Sequence, residues 1–190
     1  SFKFKEHTCI VLELLGPTLY ESLKFNKFRP FSVSCIRSIM KQVVGAVAIL
    51  HRNEKIHTDL KLENILLKKN LIDANGFDVK TKIYAPDVRL ADFGSIDTGR
   101  VWHTHLATTS HYRAPEILLG LKWGYEADIW SIGCILVELS LGNIPFYSRD
   151  TLEHLFLIQQ VIEDIPRYMW DRCTDRNIVS RVRRGRLPSD

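Results

Sequence analysis

At 190 residues, with 45% apolar and 25% charged side chains, the chain is long enough to bury one ordinary core and has the composition of a globular domain. No apolar run reaches the roughly 18 residues of a membrane span, and the four scattered cysteines (Cys9, Cys35, Cys134, Cys173) include no C-x-x-C pair, which argues for free thiols in a reducing interior and against a disulfide frame. The net charge of +4 gathers in RVRRGR (181–186), which reads as a solvated basic segment, so direct nucleic-acid binding is not expected.

The opening SFKFKEHTCIVLELLG has basic residues and then an apolar run, but the run is broken by Glu13 and lacks an A-x-A-like cleavage site. It reads as a buried strand over 7–16, stopped by Gly16-Pro17. A short helix is expected from Thr18 to Phe25. From Ser32, the residues Ile36, Met40, Val43, Val47 and Leu50 recur at steps of four and three, one face of a helix of about five turns. His51 and Arg52 suit its C-terminal end, and Asn53 suits a left-handed cap.

KIH, NILLKK and VRLADFG follow as short β-like pieces, the last two joined as a hairpin whose long tip holds Asn75-Gly76. Residues 95–113 read as a long ordered loop of the kind that carries function. Within it His103 and His105 flank Thr104, with no carboxylate or cysteine close enough in sequence to complete a ligand set, so a solvated loop is expected there. A helix over Glu126–Leu141 is apolar almost all round and should be buried on most sides. Another, over 150–163, carries Leu152, Leu155, Phe156, Ile158, Val161 and Ile162 and ends before Pro166.

The chemistry lies in HTDLKLENIL (57–66). Transfer of a phosphoryl group needs a carboxylate to receive the hydroxyl proton, a cation for the moving phosphate, and oxygen ligands for Mg²⁺. Asp59, Lys61 and Asn64 supply all three from one turn; Asp92 of DFG (92–94) supplies a second carboxylate, with Gly94 permitting a sharp exit. HYRAPE (111–116) and DIWSIG (128–133) follow in order. A capped turn and an ordinary strand exit explain each string separately, but not their order.

Together these motifs resemble the eukaryotic protein kinases. The resemblance implies an α+β, mainly α fold: the large C-terminal lobe of a kinase domain, with residues 1–16 as hinge strand and hinge and 17–190 as the lobe. It implies ATP and Mg²⁺ as cofactors. Asp59 is the implied catalytic base and Lys61 the stabiliser of the transferring phosphate. Asn64 and Asp92 are implied metal ligands, and Thr109 an implied partner of Asp59 and Lys61. His57, packing near Phe93, is implied to be structural, as are Gly94, Glu116 and Asp128, the last accepting hydrogen bonds from the catalytic-loop backbone. Adenine is expected against the backbone of Glu13 and Leu14, with Leu12 behind it and Leu66 beneath the ring. Lysine at 61 together with Thr109 resembles the serine/threonine rather than the tyrosine-specific kinases.

Thr58 stands where most kinases place an arginine that pairs with an activation-loop phosphate, so phosphates on Thr98, Thr104 or Thr108 are expected to lack that partner. HTDLK, DFGS, HYRAPE and WSIGCIL are similar to the LAMMER-type dual-specificity kinases. The name motif is partly present, as EHLFLIQQ (153–160), and Leu62 and Ser110 replace a usual proline and arginine. The resemblance implies basic, arginine/serine-rich protein substrates, an intracellular and chiefly nuclear setting, Glu63 facing a substrate arginine, and Arg113 shaping the substrate loop. No G-x-G-x-x-G occurs, and Val47-Ala48-Ile49 is followed by Leu50 inside a helix, so it is no strand lysine motif. The glycine loop, the strand lysine and the arginine partner of Glu116 are expected outside these residues. The segment alone should then bind nucleotide weakly, and a truncated pseudokinase serving as a binding module is the alternative.

Overall fold

Polar caps and apolar spacing account for most of the helices in the computed structural model, which describes residues 1–68 and 86–183. The expected hairpin tip at Asn75-Gly76 and the second half of the basic run (184–186) lie outside the described residues. Strands β1 (Phe2–Phe4) and β2 (His7–Cys9) form an exposed antiparallel hairpin with Phe2 opposite Cys9. Helix α1 (Leu19–Phe25) starts in a capping box: Thr18 Oγ1 accepts the Glu21 N–H at 3.0 Å, and Glu21 Oε2 accepts the Thr18 N–H at 2.8 Å. Helix α2 (Val33–Arg52) is capped by Ser32, whose Oγ accepts from the Cys35 N–H.

By length and apolarity α2 passes for a membrane span. Its Cys35, Ile36, Ile39, Val43 and Val47 face, however, is sunk in the main core of this domain. Ile39, absent from the expected stripe, is fully buried, while Met40 is only partly so. The left-handed residue after α2 is Glu54 (φ 56°), not Asn53 (φ −94°), because Asn53 spends its backbone N–H on the last turn of the helix.

Strand β3 (Lys55–Ile56) leads into the loop 57–61 and a 3₁₀ turn at Leu62–Asn64, then β4 (Ile65–Leu67) pairs antiparallel with β5 (Val88–Leu90), Ile65 opposite Leu90. Gln42 of α2 holds the start of β5 through two bonds: its Nε2 donates to the Pro86 carbonyl (2.7 Å) and its Oε1 accepts the Val88 N–H (3.0 Å). Strand β6 (Asp97–Thr98) returns to β3, Lys55 opposite Thr98 and Ile56 opposite Asp97. A 3₁₀ turn at Ser110–Tyr112 precedes α3 (Pro115–Leu118).

Helix α4 (Glu126–Leu141) crosses α2 and buries Ala127, Asp128, Ser131, Cys134, Ile135, Glu138 and Leu139. It ends at Gly142 (φ 79°), where a Cβ would stand 1.9 Å from the Phe28 carbonyl oxygen, so only glycine fits. Helices α5 (Thr151–Val161), α6 (Arg167–Asp171) and α7 (Arg176–Arg183) complete the described chain. Asp150 caps α5 with one carboxylate oxygen and receives Arg181 of α7 on the other. The EHLFLIQQ segment lies in α5, where Leu155 and Ile158 enter the core.

Two further expectations fail. Only His7–Cys9 of the region 7–16 is strand; Ile10–Leu14 is exposed, because no other described strand pairs with it to cover its apolar side chains. Helix α4 is likewise not enclosed on most sides: Ile129, Leu136 and Leu141 remain exposed. Beside it runs an apolar cleft of about 1230 Å³ lined by Ile129, Val137, Phe146, Ile162, Tyr168 and Glu116, among others. All four cysteines are free thiols; burial pushes Cys35 up to about 11 and Cys134 to about 12, so both are inert.

Candidate active site

The turn from β3 into the 3₁₀ segment is held from beneath by one carboxylate. Asp128, fully buried in the first turn of α4, accepts the His57 N–H on Oδ2 (2.9 Å) and the Thr58 N–H on Oδ1 (3.0 Å), and pairs through Oδ2 with His51 Nε2 (2.8 Å). This clamp matters because Thr58 has φ 66°, a left-handed conformation that costs a β-branched residue about 1–3 kcal/mol. Thr58 Oγ1 also donates to the Ser95 carbonyl at 2.7 Å, tying the loop to the segment after DFG. Leu62, where a proline is usual, fills the core and is fully buried.

His57 is a buried spacer between two chemical segments. Its Nε2–H donates to the Ala91 carbonyl (3.1 Å), and its Nδ1 accepts the Asp59 N–H (3.3 Å). Its ring meets Phe93 edge-on at 5.6 Å.

Around Asp59 the polar groups gather closely. Lys61 Nζ donates to Asp59 Oδ2 at 2.6 Å and to Thr109 Oγ1 at 3.1 Å, and Thr109 Oγ1 donates to Asp59 Oδ1 at 2.6 Å. Asn64 Nδ2 donates to the Asp59 carbonyl (2.8 Å) and to Oδ2 (3.2 Å). Burial alone would raise the Asp59 pKa, but the hydrogen bonds from Lys61 and Thr109, with the Lys61 charge, outweigh it and hold the carboxyl below the usual range. Asp59 is therefore ionised at neutral pH.

Asp92 is exposed and follows Ala91, whose N–H donates to the Asn64 carbonyl at 2.9 Å. The β4–β5 hairpin thus carries the Asp92 backbone alongside the Asn64 end of the loop. The sharp exit belongs to Asp92 itself (φ 61°). Gly94 is not in the left-handed region, and a Cβ there would meet Asp92 Oδ1 at an ordinary 3.4 Å, so the expected role of Gly94 as the permissive residue is corrected. Asn64 turns its Nδ2 toward Asp59, which leaves Oδ1 as its ligand atom. An amide oxygen and a carboxylate are a donor set that fits a hard divalent cation.

The remaining expected positions are more open. Leu12 and Leu14 are 80% and 94% exposed, and Glu13 is exposed too, so these residues form no closed adenine pocket among the described residues. Leu66 is half-buried in β4, bridged to Thr18, while the Gly16 N–H donates to the Leu67 carbonyl; residues 16–18 therefore pass over this strand. Glu63 is exposed on the 3₁₀ turn. Arg113 is turned inward, donating from Nε to the Ala107 carbonyl and from Nη2 to the Thr108 carbonyl, which shapes the loop before it. Burial raises the Glu116 pKa, with the nearby Glu126 adding to the effect.

One group was missed by reading along the chain. Asp97 puts its carboxylate 3.3 Å from both His103 Nδ1 and His105 Nε2, so the expectation of a solvated loop without a carboxylate partner is corrected: folding across β6 supplies one from six residues upstream of His103. The only sequence signal is a carboxylate at that longer spacing.

The protein kinase domain model matches residues 1–181 of the chain. The chain belongs to the protein kinase family. It is 39% identical over 196 residues to the serine/threonine-protein kinase AFC2 of Arabidopsis thaliana, covering 98% of this chain and 46% of that protein. It is 40% identical to the dual specificity protein kinase CLK1 of Mus musculus (92% of this chain, 37% of that one), and 38% to the dual specificity protein kinase lkh1 of Schizosaccharomyces pombe (96% and 26%). The crystal structure of another kinase domain superposes with a TM-score of 0.76 at 32% identity, over 87% of this kinase segment and 52% of that chain. The expected likeness to the LAMMER-type kinases is borne out. So is a mainly helical large-lobe fold. This segment spans less than half the length of these curated relatives.

Proposed function

We propose that this segment is the catalytic lobe of an ATP- and Mg²⁺-dependent protein kinase that phosphorylates serine and threonine, with tyrosine as a further acceptor, on basic arginine/serine-rich proteins. The observation that supports it is the four-residue cluster in which Lys61, Thr109 and Asn64 all donate to Asp59. Asp59, held ionised, orients the acceptor hydroxyl. With a depressed pKa it is a weak equilibrium base, so it takes the proton late, once bond formation to phosphorus has made the hydroxyl acidic. Lys61 offsets the charge on the moving phosphoryl group while keeping the Asp59 carboxylate in place. Asn64 Oδ1 and the Asp92 carboxylate would hold Mg²⁺, which when bound would supply positive charge to offset that of the nucleotide phosphates. Glu63, exposed beside the catalytic loop, offers a carboxylate to a substrate arginine. A setting inside the cell, nuclear where splicing-type proteins are the substrates, accompanies this reading.

The exposure of Leu12 and Leu14 favours one qualification: the described residues alone bind nucleotide poorly, as a binding module would. The deciding experiment uses the full-length protein that contains this segment. Asp59→Asn is expected to lower kcat about 10²–10⁴-fold on a basic serine peptide with ATP affinity retained. Turnover unchanged in Asp59→Asn would overturn the role of Asp59, and no turnover in the unsubstituted protein would leave the module reading standing.

A further inference from the structure

Asp97, His103 and His105 carry donor atoms that phosphoryl transfer does not use. Asp97 is fixed in β6 opposite Ile56, and its Oδ1 accepts the Thr98 N–H at 2.7 Å, which leaves Oδ2 to face both histidines at 3.3 Å. The histidine backbones are anchored as well. His103 and Trp123 exchange two backbone hydrogen bonds of 3.0 Å, and Trp123 Nε1–H donates to the His105 carbonyl at 2.9 Å. Both rings rest on Trp123, with centroids at 4.7 and 5.0 Å.

The tautomer of His103 gives the cluster its meaning. Its Nε2 lies 2.7 Å from the Thr98 carbonyl oxygen, which only accepts, so the N–H of the neutral ring sits on Nε2. Nδ1 then points a lone pair at the Asp97 carboxylate oxygen. Two acceptors face one another, and only a cation between them, a proton or a metal, makes the contact favourable. His105 Nε2 approaches the same oxygen, and the three ligand atoms all lie within 4.8 Å of one another. A tetrahedral ion with bonds of about 2.0–2.1 Å spaces its ligands roughly 3.3 Å apart, the separation seen on both Asp97–histidine edges. A backbone carbonyl on the far nitrogen of His103 is also the usual support of a metal-bound imidazole.

We propose that Asp97, His103 and His105 form a site for a borderline divalent metal ion of the zinc type, separate from the Mg²⁺ ligands and independent of the phosphotransfer reading. Two imidazoles and one carboxylate select such an ion over the hard, oxygen-seeking Mg²⁺. His103 is almost buried while the His105 side chain is 56% exposed, so a fourth position opens to solvent. The bound ion would clamp residues 97–105 onto β3 and Trp123, holding the segment between DFG and HYRAPE by a metal.

The test titrates Zn²⁺, and Co²⁺ as a spectroscopic probe, into the intact chain in excess Mg²⁺. One equivalent is expected to bind, with visible four-coordinate cobalt bands and slowed hydrogen exchange over 97–105. Affinity is expected to fall at least about tenfold in His105→Ala and in Asp97→Asn, and to be unchanged in His7→Ala. His105 is exposed enough that its alanine variant keeps the metal-free thermal midpoint, so that variant decides even if Asp97→Asn misfolds. Zinc binding insensitive to His105→Ala, a near-ultraviolet thiolate band, or no binding at all overturns the site and leaves a carboxylate–imidazolium pair.

Discussion

The loop 57–64 and the segment 10–14 are equally irregular, yet one is held by partners throughout and the other stands in solvent. The loop owes its shape to distant residues of the same chain: Asp128 from α4 on its backbone, Thr109 on its carboxylate, and Ala91 against His57 and Asn64. The segment 10–14 is more apolar, but none of the other described strands pairs with it, and Leu14 is 94% exposed. Hydrophobicity alone did not decide burial. The presence of a complementary surface did.

The strongest way to break this contrast is to remove its central carboxylate. Asp128→Ala leaves the His57 and Thr58 N–H groups without acceptors in a buried place and lets the strained Thr58 backbone relax. A loss of about 3–5 kcal/mol in unfolding free energy is expected in urea titrations, the range for removing one partner from a buried charge network. A change below about 1 kcal/mol would show that the loop holds its conformation without the clamp.

Asp59, Lys61 and Asn64 were legible because their spacing places them on one short turn and their chemistry is specific. The starts of α1 and α2 were legible near Thr18 and Ser32, and the structure makes both residues the caps, an interaction that acts within three residues. What escaped depended on contacts across the fold. Glu54 rather than Asn53 takes the left-handed position, and its carbonyl receives the Gly99 N–H from the end of β6. Asp97 joins His103 and His105 only because β6 turns back onto β3. The expected strand over 7–16 failed for the same kind of reason, since strand character at 10–14 needs a neighbour that local sequence does not name.

The buried face of α4 offers a second, smaller test, through pH. Burial, helped by the Glu63 charge, pushes Glu138 up to about 7 despite the hydrogen bond it accepts from the Tyr112 hydroxyl. Its folded pKa lies above the ordinary 4.5, so the folded state holds the extra proton between these values. Stability from this group is full below about 4.5 and is lost as pH rises through 7. His154 slopes the other way: burial lowers it to about 4, so its contribution is full above 6.5 and lost as pH falls toward 4. Comparing wild type with Glu138→Gln isolates the first slope. The stability of the wild type relative to the variant should fall by a few kcal/mol from pH 4.5 to 7.5, read from urea midpoints. Parallel curves would mean that Glu138 titrates normally and that its buried position is hydrated.

The smallest expected effect probes the exposed side of the comparison. Leu14→Ser and Ile129→Ser replace apolar side chains that are 94% and 56% exposed, one on the segment 10–14 and one beside the cleft along α4. Neither side chain loses much buried area on substitution, so each change is expected to alter unfolding free energy by no more than about 0.5 kcal/mol while raising the concentration at which the segment begins to self-associate. The two positions part company in any longer form of the protein whose added residues cover only one of them. If residues beyond this segment cover one of these surfaces, its serine variant will cost about 1–3 kcal/mol there while remaining neutral in the segment. Light scattering and urea midpoints on both lengths measure this. A cost already present in the isolated segment would mean that the exposed leucine or isoleucine is packed within it, and that burial here does not depend on a surface supplied from elsewhere.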